Sequence, residues 1–452
     1  MLDPSPKFYM GDSRSYIATA VTGWIPPDRS FFYGYVIRWL AVWTSSLTPL
    51  LIFQTLVGAM TAIMVAAICR GAFGLPPLLS FAAGLACCFD PLQLLWERYV
   101  MTETISLLIY AVMLYVCFRY LKRKKIADLF LVQAIATLLI GFRISYLLLV
   151  QVNAVLLPLL AFLPLSRSDL ETAYVQHHVP AIRLLGHIVL SCALMFVLHH
   201  AYKELNGKVS KRYPAYGYDT GLHLLAAWAP ALDPSDAPDP RLQQVIAQGK
   251  AYHIRDLDLR NNQRFSPDFL VDRWQQMEKQ LVKANEIARQ TAVRALRRNP
   301  LGILRLAGQT YLEFWQPALL LKYAQLDLGH PLTPNDTAVL ATYFHLVQTP
   351  SVSAAARPTL LQKYFLAARY YCLLALVLPV FALITVLIRP GSIDGPLILI
   401  HATVLVCVIS LFTVNPSIRY VQPISLLAIL TIAAWVPYVP ARRNRTRVTA
   451  IW

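Results

Sequence analysis

Residues 47–68 read LTPLLIFQTLVGAMTAIMVAAI, an apolar run without a charged side chain. A helix needs roughly 20 such residues to cross the hydrocarbon core of a bilayer. The run predicts a membrane span, and the stretches 75–89, 102–118, 126–142, 146–165, 184–198, 370–388, 397–414 and 421–436 come close to the same pattern. The second and sixth of these nine stretches, 75–89 and 184–198, are short for a crossing. The segment 126–165 is too long for one span, and Arg143 in GFRIS marks its reversal.

Composition agrees with this reading. Hydrophobic residues make up 57% of the 452-residue chain and charged residues 14%, where a soluble protein carries about 25% charge. The mean hydropathy is +0.49. The net charge of +17 raises the question of nucleic acid, but much of the basic excess sits in short loops and tails beside apolar runs, where it reports membrane orientation. Nucleic acid is set aside as a partner. The seven cysteines lie in or at the ends of apolar runs and show no CxxC spacing, so neither a disulfide framework nor a zinc site is supported. No secretory signal pattern opens the chain.

Alternating the nine spans sorts the loops into two sets. One holds Arg70, RYLKRKK at 119–125, Arg167, Arg183, Arg389 and the tail RRNRTR at 442–447. The other holds the N-terminal segment, DPLQLLWERY at 90–99, GFRIS, a long polar segment and NPSIRY at 415–420. Counted over short loops, the positive-inside rule makes the first set cytoplasmic. The expected organisation is a first outer loop with juxtamembrane helices (1–46), six membrane helices (47–198), a long, mainly helical outer segment (199–369), three further membrane helices (370–436) and a basic cytoplasmic tail (437–452). The fold class is all-α and polytopic. Within the outer segment, 268–298 carries apolar residues at helical spacing, among them Phe269, Trp274, Met277, Leu281, Ala284, Ile287, Val293 and Leu296. It predicts one amphipathic helix, lying on the outer leaflet or covering a site between the spans.

Ionisable residues at membrane depth are expensive and mark function. The outer side collects Asp12, Arg29, Asp90, Glu97, Arg98, Glu103, Arg143 and Arg419. The inner side offers only Asp128, Asp169, Glu171 and Asp394, scattered among basic residues. An outward-facing cleft of carboxylates and arginines suits a phosphate-bearing ligand, because guanidinium groups contact phosphate bidentately. Each residue also has a plainer reading. Asp12 reads as a helix N-cap, Glu103 as a first-turn acid favoured by the helix dipole, Arg143 and Arg419 as snorkelling interface residues, and Glu97 with Arg98 as an ordinary loop pair. The pairs His177-His178 and His199-His200 read as solvated or interfacial histidines rather than metal ligands. Trp24, Trp39, Trp43 and Trp96 read as an interfacial belt.

GDSRSYIATA (11–20) followed by PPDRSFFYGYVIRWL (26–40) resembles the first outer loop of the glycosyltransferase C superfamily. MTETISLLIYAVMLY (101–115) resembles the span that often opens with a Glu there, GFRISYLLLV (141–150) the arginine-bearing hairpin, and NPSIRYVQPISLLAIL (415–430) the Arg-Tyr near the last spans. The nearest subset is the bacterial type related to the protein O-mannosyltransferases of family 39. The chain departs from the pattern in lacking the family's usual leading span, for which a misplaced start or a truncation is the expected cause.

The resemblance implies transfer of a sugar from a polyprenyl phosphate to an acceptor hydroxyl at the outer face of a bacterial inner membrane. It implies Asp12 as the base, and Arg143, Arg419 and Arg29 on the phosphate. Tyr16 and Tyr420 would orient sugar or base, Asp90, Glu97 and Glu103 stay available as further acids, and no cofactor or metal is expected. A single carboxylate in place suggests direct displacement with inversion. Two other readings stand beside it: a transporter or flippase of a lipid-linked glycan, and an O-antigen polymerase or ligase with a sugar-diphosphate lipid donor. Matching halves with broken spans, expected of a transporter, are not evident.

Overall fold

In the computed structural model the described residues are 6–162, 181–249, 257–328, 332–346, 360–367, 370, 373, 376–388, 394–414 and 417–436. Arg167, Asp169, Glu171, His177, His178, Cys372, Arg389 and the tail 437–452 fall outside them. The chain is helical, and among the described residues the one β feature is an isolated bridge between Lys7 and Tyr99. Helices α1 (Met10–Thr22) and α2 (Phe32–Ile37) precede the apolar region. There follow α3 (Thr48–Gly71), α4 (Pro77–Cys88), the short α5 (Pro91–Trp96), α6 (Glu103–Arg123), α7 (Ile126–Phe142), α8 (Leu147–Phe162) and α9 (Ala181–Ser210). The outer segment carries α10 (Thr220–Ala227), α11 (Pro240–Gln248), α12 (Leu257–Phe265), α13 (Leu270–Met277), α14 (Leu281–Arg298), α15 (Pro300–Glu313), α16 (Pro317–Asp327), α17 (Pro334–Phe344) and α18 (Leu360–Ala367). Helices α19 (Leu378–Ile388), α20 (Asp394–Leu411) and α21 (Gln422–Trp435) close the described chain.

Six helices are long and apolar enough to cross a membrane: α3, α6, Ile144–Phe162, α9, α20 and Ile418–Trp435. This is a helical membrane protein. The other three expected spans are helical but shorter, being α4, α7 and α19. Helix α6 is central, with Tyr110, Met113, Leu114, Cys117 and Tyr120 all buried, and its ends suit the helix dipole, with Glu103 in the first turn and Lys122 and Arg123 in the last. Helix α9 is peripheral and turns Ile182, Leu185, Val189 and Phe196 outward, as a lipid-facing surface does. It runs to Ser210, past the expected boundary at 198, because residues 199–210 keep helix-forming side chains after the apolar run ends.

The first outer loop is fastened to this bundle. Lys7 N donates to Arg98 O at 2.8 Å and Val100 N to Lys7 O at 3.0 Å. The buried Gln54 of α3 donates through Nε2 to Glu97 O and Tyr99 O, both at 2.9 Å, and accepts from Tyr33 Oη at 2.6 Å. One amide thus holds three segments together. Trp96, expected in the interfacial belt, is instead buried against Tyr9 and Tyr99, while Trp24, Trp39 and Trp43 are exposed.

The outer segment has a hydrophobic core of its own, built from α10, α11, α13 and α14 around Leu222, Leu225, Leu242, Val245 and Trp274. The single amphipathic helix expected over 268–298 is two helices that break at residues 278–280. The break follows from side-chain competition. Glu278 leaves the helix to be held by Arg241 Nη2 at 2.9 Å and Lys283 Nζ at 3.2 Å, and Trp274 Nε1 reaches across the gap to Ala284 O at 3.0 Å. Nor does this stretch lay an apolar stripe on a leaflet. Helix α14 buries Ala284, Ala288, Ala292 and Ala295 in the second core and leaves Val282 and Leu296 exposed.

That alanine face permits close approach to Gly221 at the start of α10. A Cβ there would stand 2.1 Å from Asn285 O and 2.7 Å from Arg289 N, both backbone atoms. The Asn285 side chain in turn accepts from the N–H groups of Gly221 and Leu222 at 2.8 and 3.3 Å, satisfying donors at that helix start. Gly221→Ala is therefore expected to destabilise the outer segment by about 1–3 kcal/mol, as overpacking does. Gly186→Ala on α9, where a Cβ meets nothing within 4 Å, is the control. Thermal unfolding of the detergent-purified protein checks this: a lowered transition for the first variant and none for the second.

Candidate functional site

Three arginines and three carboxylates meet where the first outer loop closes over the ends of α6, α7 and α21. Helix α1 begins at Met10, with Ser13 Oγ accepting from Tyr9 N at 2.8 Å and Gly23 ending the helix in the left-handed region at φ 78°. Asp12 is thereby in the first turn and is not the N-cap. Its Oδ1 stands 2.5 Å from Arg29 Nη2 and its Oδ2 2.6 Å from Arg419 Nη1. Arg419 lies in a 3-10 turn, Ile418–Val421, that leads into α21, and its Nε is 2.7 Å from Glu103 Oε1. Arg143 occupies the extended residue between α7 and the turn before α8, and its Nη1 is 3.6 Å from that same Glu103 oxygen. Arg29 also pairs with Asp28 at 2.8 Å.

Aromatic rings line the guanidiniums. Arg29 lies over Tyr16 at 4.9 Å, Arg419 over Tyr9 at 5.0 Å and Tyr420 at 5.5 Å, and Arg143 over Tyr420 at 5.7 Å. Cation–π attraction and planarity hold the forks in fixed planes. The structure thus brings Asp12, Tyr16, Arg29, Glu103, Arg143, Arg419 and Tyr420 into one cluster. Tyr9 and Asp28 join them without having been singled out in the sequence. Their one signal was adjacency, Tyr9 preceding GDSRSY and Asp28 preceding Arg29.

Burial raises the cost of charging Asp12, yet the two guanidiniums outweigh it and hold the carboxyl well below the usual carboxylate range. The same pairing lifts Arg29 above its ordinary value against its own burial. Tyr16 is raised, chiefly by burial. The cluster is nevertheless incompletely bonded. Arg29 Nε, Arg143 Nη1, Arg419 Nε and Glu103 Oε1 are buried with no hydrogen-bond partner among the described residues. The Arg419–Glu103 approach is accordingly a charge contact without hydrogen-bond alignment. Buried guanidinium donors left over in this way are suited to an anionic oxygen.

Asp90 and Glu97 are elsewhere. Asp90 caps α5, its Oδ1 accepting from Leu92 N at 2.8 Å and its Oδ2 accepting from Ser425 Oγ. Glu97 accepts from Gln93 Nε2 at 3.0 Å and packs where a Cβ on Gly58 would sit. Neither forms an ion pair with the arginines of the cluster. His199 is buried with Nδ1 2.8 Å from Tyr216 Oη, and His200 pairs with Glu204 at 3.8 Å.

The outer segment touches the cluster's supports at several points, among them Asp336 of α17, which pairs with Arg14 Nε at 3.1 Å two residues after Asp12. Tyr218 N donates to Pro27 O at 2.6 Å, next to Asp28 and Arg29. At the end of α20, three successive carbonyls receive outer-segment side chains: Leu411 O from Trp228 Nε1 at 2.9 Å, Phe412 O from His223 Nε2 at 2.6 Å and Thr413 O from Arg260 Nη2 at 3.2 Å. Arg419 follows six residues later.

Burial pushes the Asp90 carboxyl up to about 6 and the Glu97 carboxyl up to about 7. Both groups bind protons more tightly in the folded than in the unfolded chain, so stability falls as pH rises from about 4 through these two values. Relative to the double variant Asp90→Asn, Glu97→Gln, the wild-type protein is expected to lose stability between pH 5 and pH 8, while His223, which burial holds below the usual imidazole value, acts in the opposite direction in both proteins. Melting curves of both proteins across this window check it; the depressed Asp12 does not contribute, since it titrates below it.

Comparison with known proteins returns no match: no family model, no curated protein and no solved structure aligns with the chain.

Proposed function

We propose that the chain is a membrane glycosyltransferase of the C superfamily type, related to the protein O-mannosyltransferases, that moves a sugar from a polyprenyl phosphate to an acceptor hydroxyl. The observation that carries this reading is the convergence of Arg29, Arg143 and Arg419 on two carboxylates, Asp12 and Glu103, at the start of α6. In this reading the acceptor oxygen attacks the sugar's anomeric carbon and the bond from that carbon to the phosphate oxygen breaks. The acceptor proton goes to Asp12, and the electron pair leaves with the phosphate. Negative charge on the phosphate grows as the bond breaks, so the arginines favour the transition state over the bound donor. Tyr16 and Tyr420 keep the guanidiniums in plane, and Glu103 holds Arg419 and Arg143 from behind.

Sidedness belongs to the same proposal. Glu103 opens α6 and the basic run 119–125 closes it, about 30 Å away at 1.5 Å per residue. With basic residues inside, the cluster faces the periplasm of a bacterial inner membrane, and the shorter helices α4, α7 and α19 complete nine crossings. The acceptor, whether protein, lipid or glycan, is met by the outer segment.

The test is mass spectrometry of lipid extracts from cells lacking the protein, cells expressing it, and cells expressing Asp12→Asn or Arg143→Met at matched levels. A polyprenyl-phosphate sugar is expected to accumulate in the null strain and to clear with wild type. Both variants are expected to leave it uncleared, with turnover lower by roughly 10²–10⁴ for loss of the base. No difference among the strains would remove this reading and favour a flippase or a diphosphate donor.

A further inference from the structure

The cluster is already electrically closed. Arg29, Arg143 and Arg419 face Asp12, Asp28 and Glu103, three positive groups against three negative ones. A phosphodiester brings one more negative charge, so its entry leaves one carboxylate without compensation. Which carboxylate yields follows from the geometry. Glu103 has no exposed side-chain surface and is fixed in the first turn of the central helix. Among the described residues Asp28 pairs with Arg29, and at 37% exposure it is screened by water. Asp12 alone takes both terminal Nη2 of Arg29 and Nη1 of Arg419, one on each carboxylate oxygen, and at 19% exposure it borders solvent.

Those two nitrogens, one from each fork, are where the two free oxygens of a phosphodiester would bind. A carboxylate bridging two guanidiniums presents the same pair of anionic oxygens as a phosphodiester. While Asp12 does so it is a poor base, since any proton must compete with two cations. We propose that Asp12 is an internal mimic of the donor phosphate, latched across Arg29 and Arg419 in the empty protein and released to act as a base when a lipid phosphodiester takes its place. This inference rests on the glycosyltransferase reading and adds to it an order of events. The donor enters first and exchanges ion pairs with no covalent change. The freed Asp12, now uncompensated, then takes the acceptor proton as the anomeric carbon–oxygen bond to phosphate breaks. A chain without donor therefore holds no activated base.

Undecaprenyl phosphate, the monoester left when the sugar departs and a carrier of the same anionic phosphate oxygens, is the probe, titrated into the purified full-length protein in detergent. Asp12→Asn is expected to bind it at least tenfold more tightly than wild type, while Asp28→Asn changes binding less than threefold. Wild-type protein gives an independent reading. Carbodiimide with a small amine, followed by peptide mass spectrometry, is expected to leave Asp12 unmodified in the empty protein and to modify it once undecaprenyl phosphate is added. Equal or weaker binding by Asp12→Asn, or protection of Asp12 by the lipid, overturns the latch while wild-type binding leaves the donor assignment standing. Absence of binding to wild type and variants alike overturns the donor assignment and the latch with it.

Discussion

The Asp12 carboxylate is gripped by guanidiniums from the first outer loop and from a turn 407 residues further on, and this contact sets the tolerance of everything around it. Burying ions is costly, and an ion pair often stabilises a fold no better than well-packed apolar side chains. Such a cluster therefore makes demands on its supports rather than holding them together. The supports are correspondingly exact in chemistry. Ser13 fixes the start of α1, the Lys7 bridge pins the chain before it, and Gln54 binds that bridge region to α3. Ser13 and Gln54 are fully buried, where an unmade hydrogen bond is costly.

Two carboxylates near three arginines do different work because they stand on different ground. Glu103 is rooted in a helix packed on all sides, and it orients Arg419 and Arg143 as a fixed counter-charge. Asp12 stands in the first turn of the 13-residue α1, with 19% of its side chain exposed. The same residue chemistry thus yields one static and one displaceable anion, separated by burial and backbone alone.

The site's main members were legible in the sequence because charges are scarce in an apolar chain. Glu103, Arg143 and Arg419 sit at the ends of apolar runs, Asp12 and Arg29 in the short polar stretches GDSRS and PPDRS, and few alternatives compete. Asp90 and Glu97 show the same local signature, yet their side chains turn to Ser425 and Gln93. Only the packing of α5 against α21 decides that, and no periodicity encodes it. The outer segment was read less well for a related reason. Its helix pattern over 268–298 is continuous, but the break depends on Arg241, 37 residues upstream of Glu278. Trp96 was misplaced likewise: an indole beside a charged pair looks interfacial until Tyr9 and Tyr99 cover it. Six of the nine expected spans are long and apolar enough to cross a membrane, and such runs are legible because a bilayer leaves the backbone no choice but to bond within each helix.

The end of α20 gives the outer segment a standing different from that of an appended module. Trp228, His223 and Arg260 complete the hydrogen bonding of Leu411, Phe412 and Thr413, carbonyls that the end of a helix leaves without intrahelical partners. A homologous protein that exchanged its outer segment for another would have to bring three donors in the same register, or lose the anchorage of the turn that carries Arg419. The exposed faces of the outer segment are then free to drift in such a lineage, and under the proposed function acceptor preference with them, whereas the seam with α20 is constrained to change together with the arginine cluster.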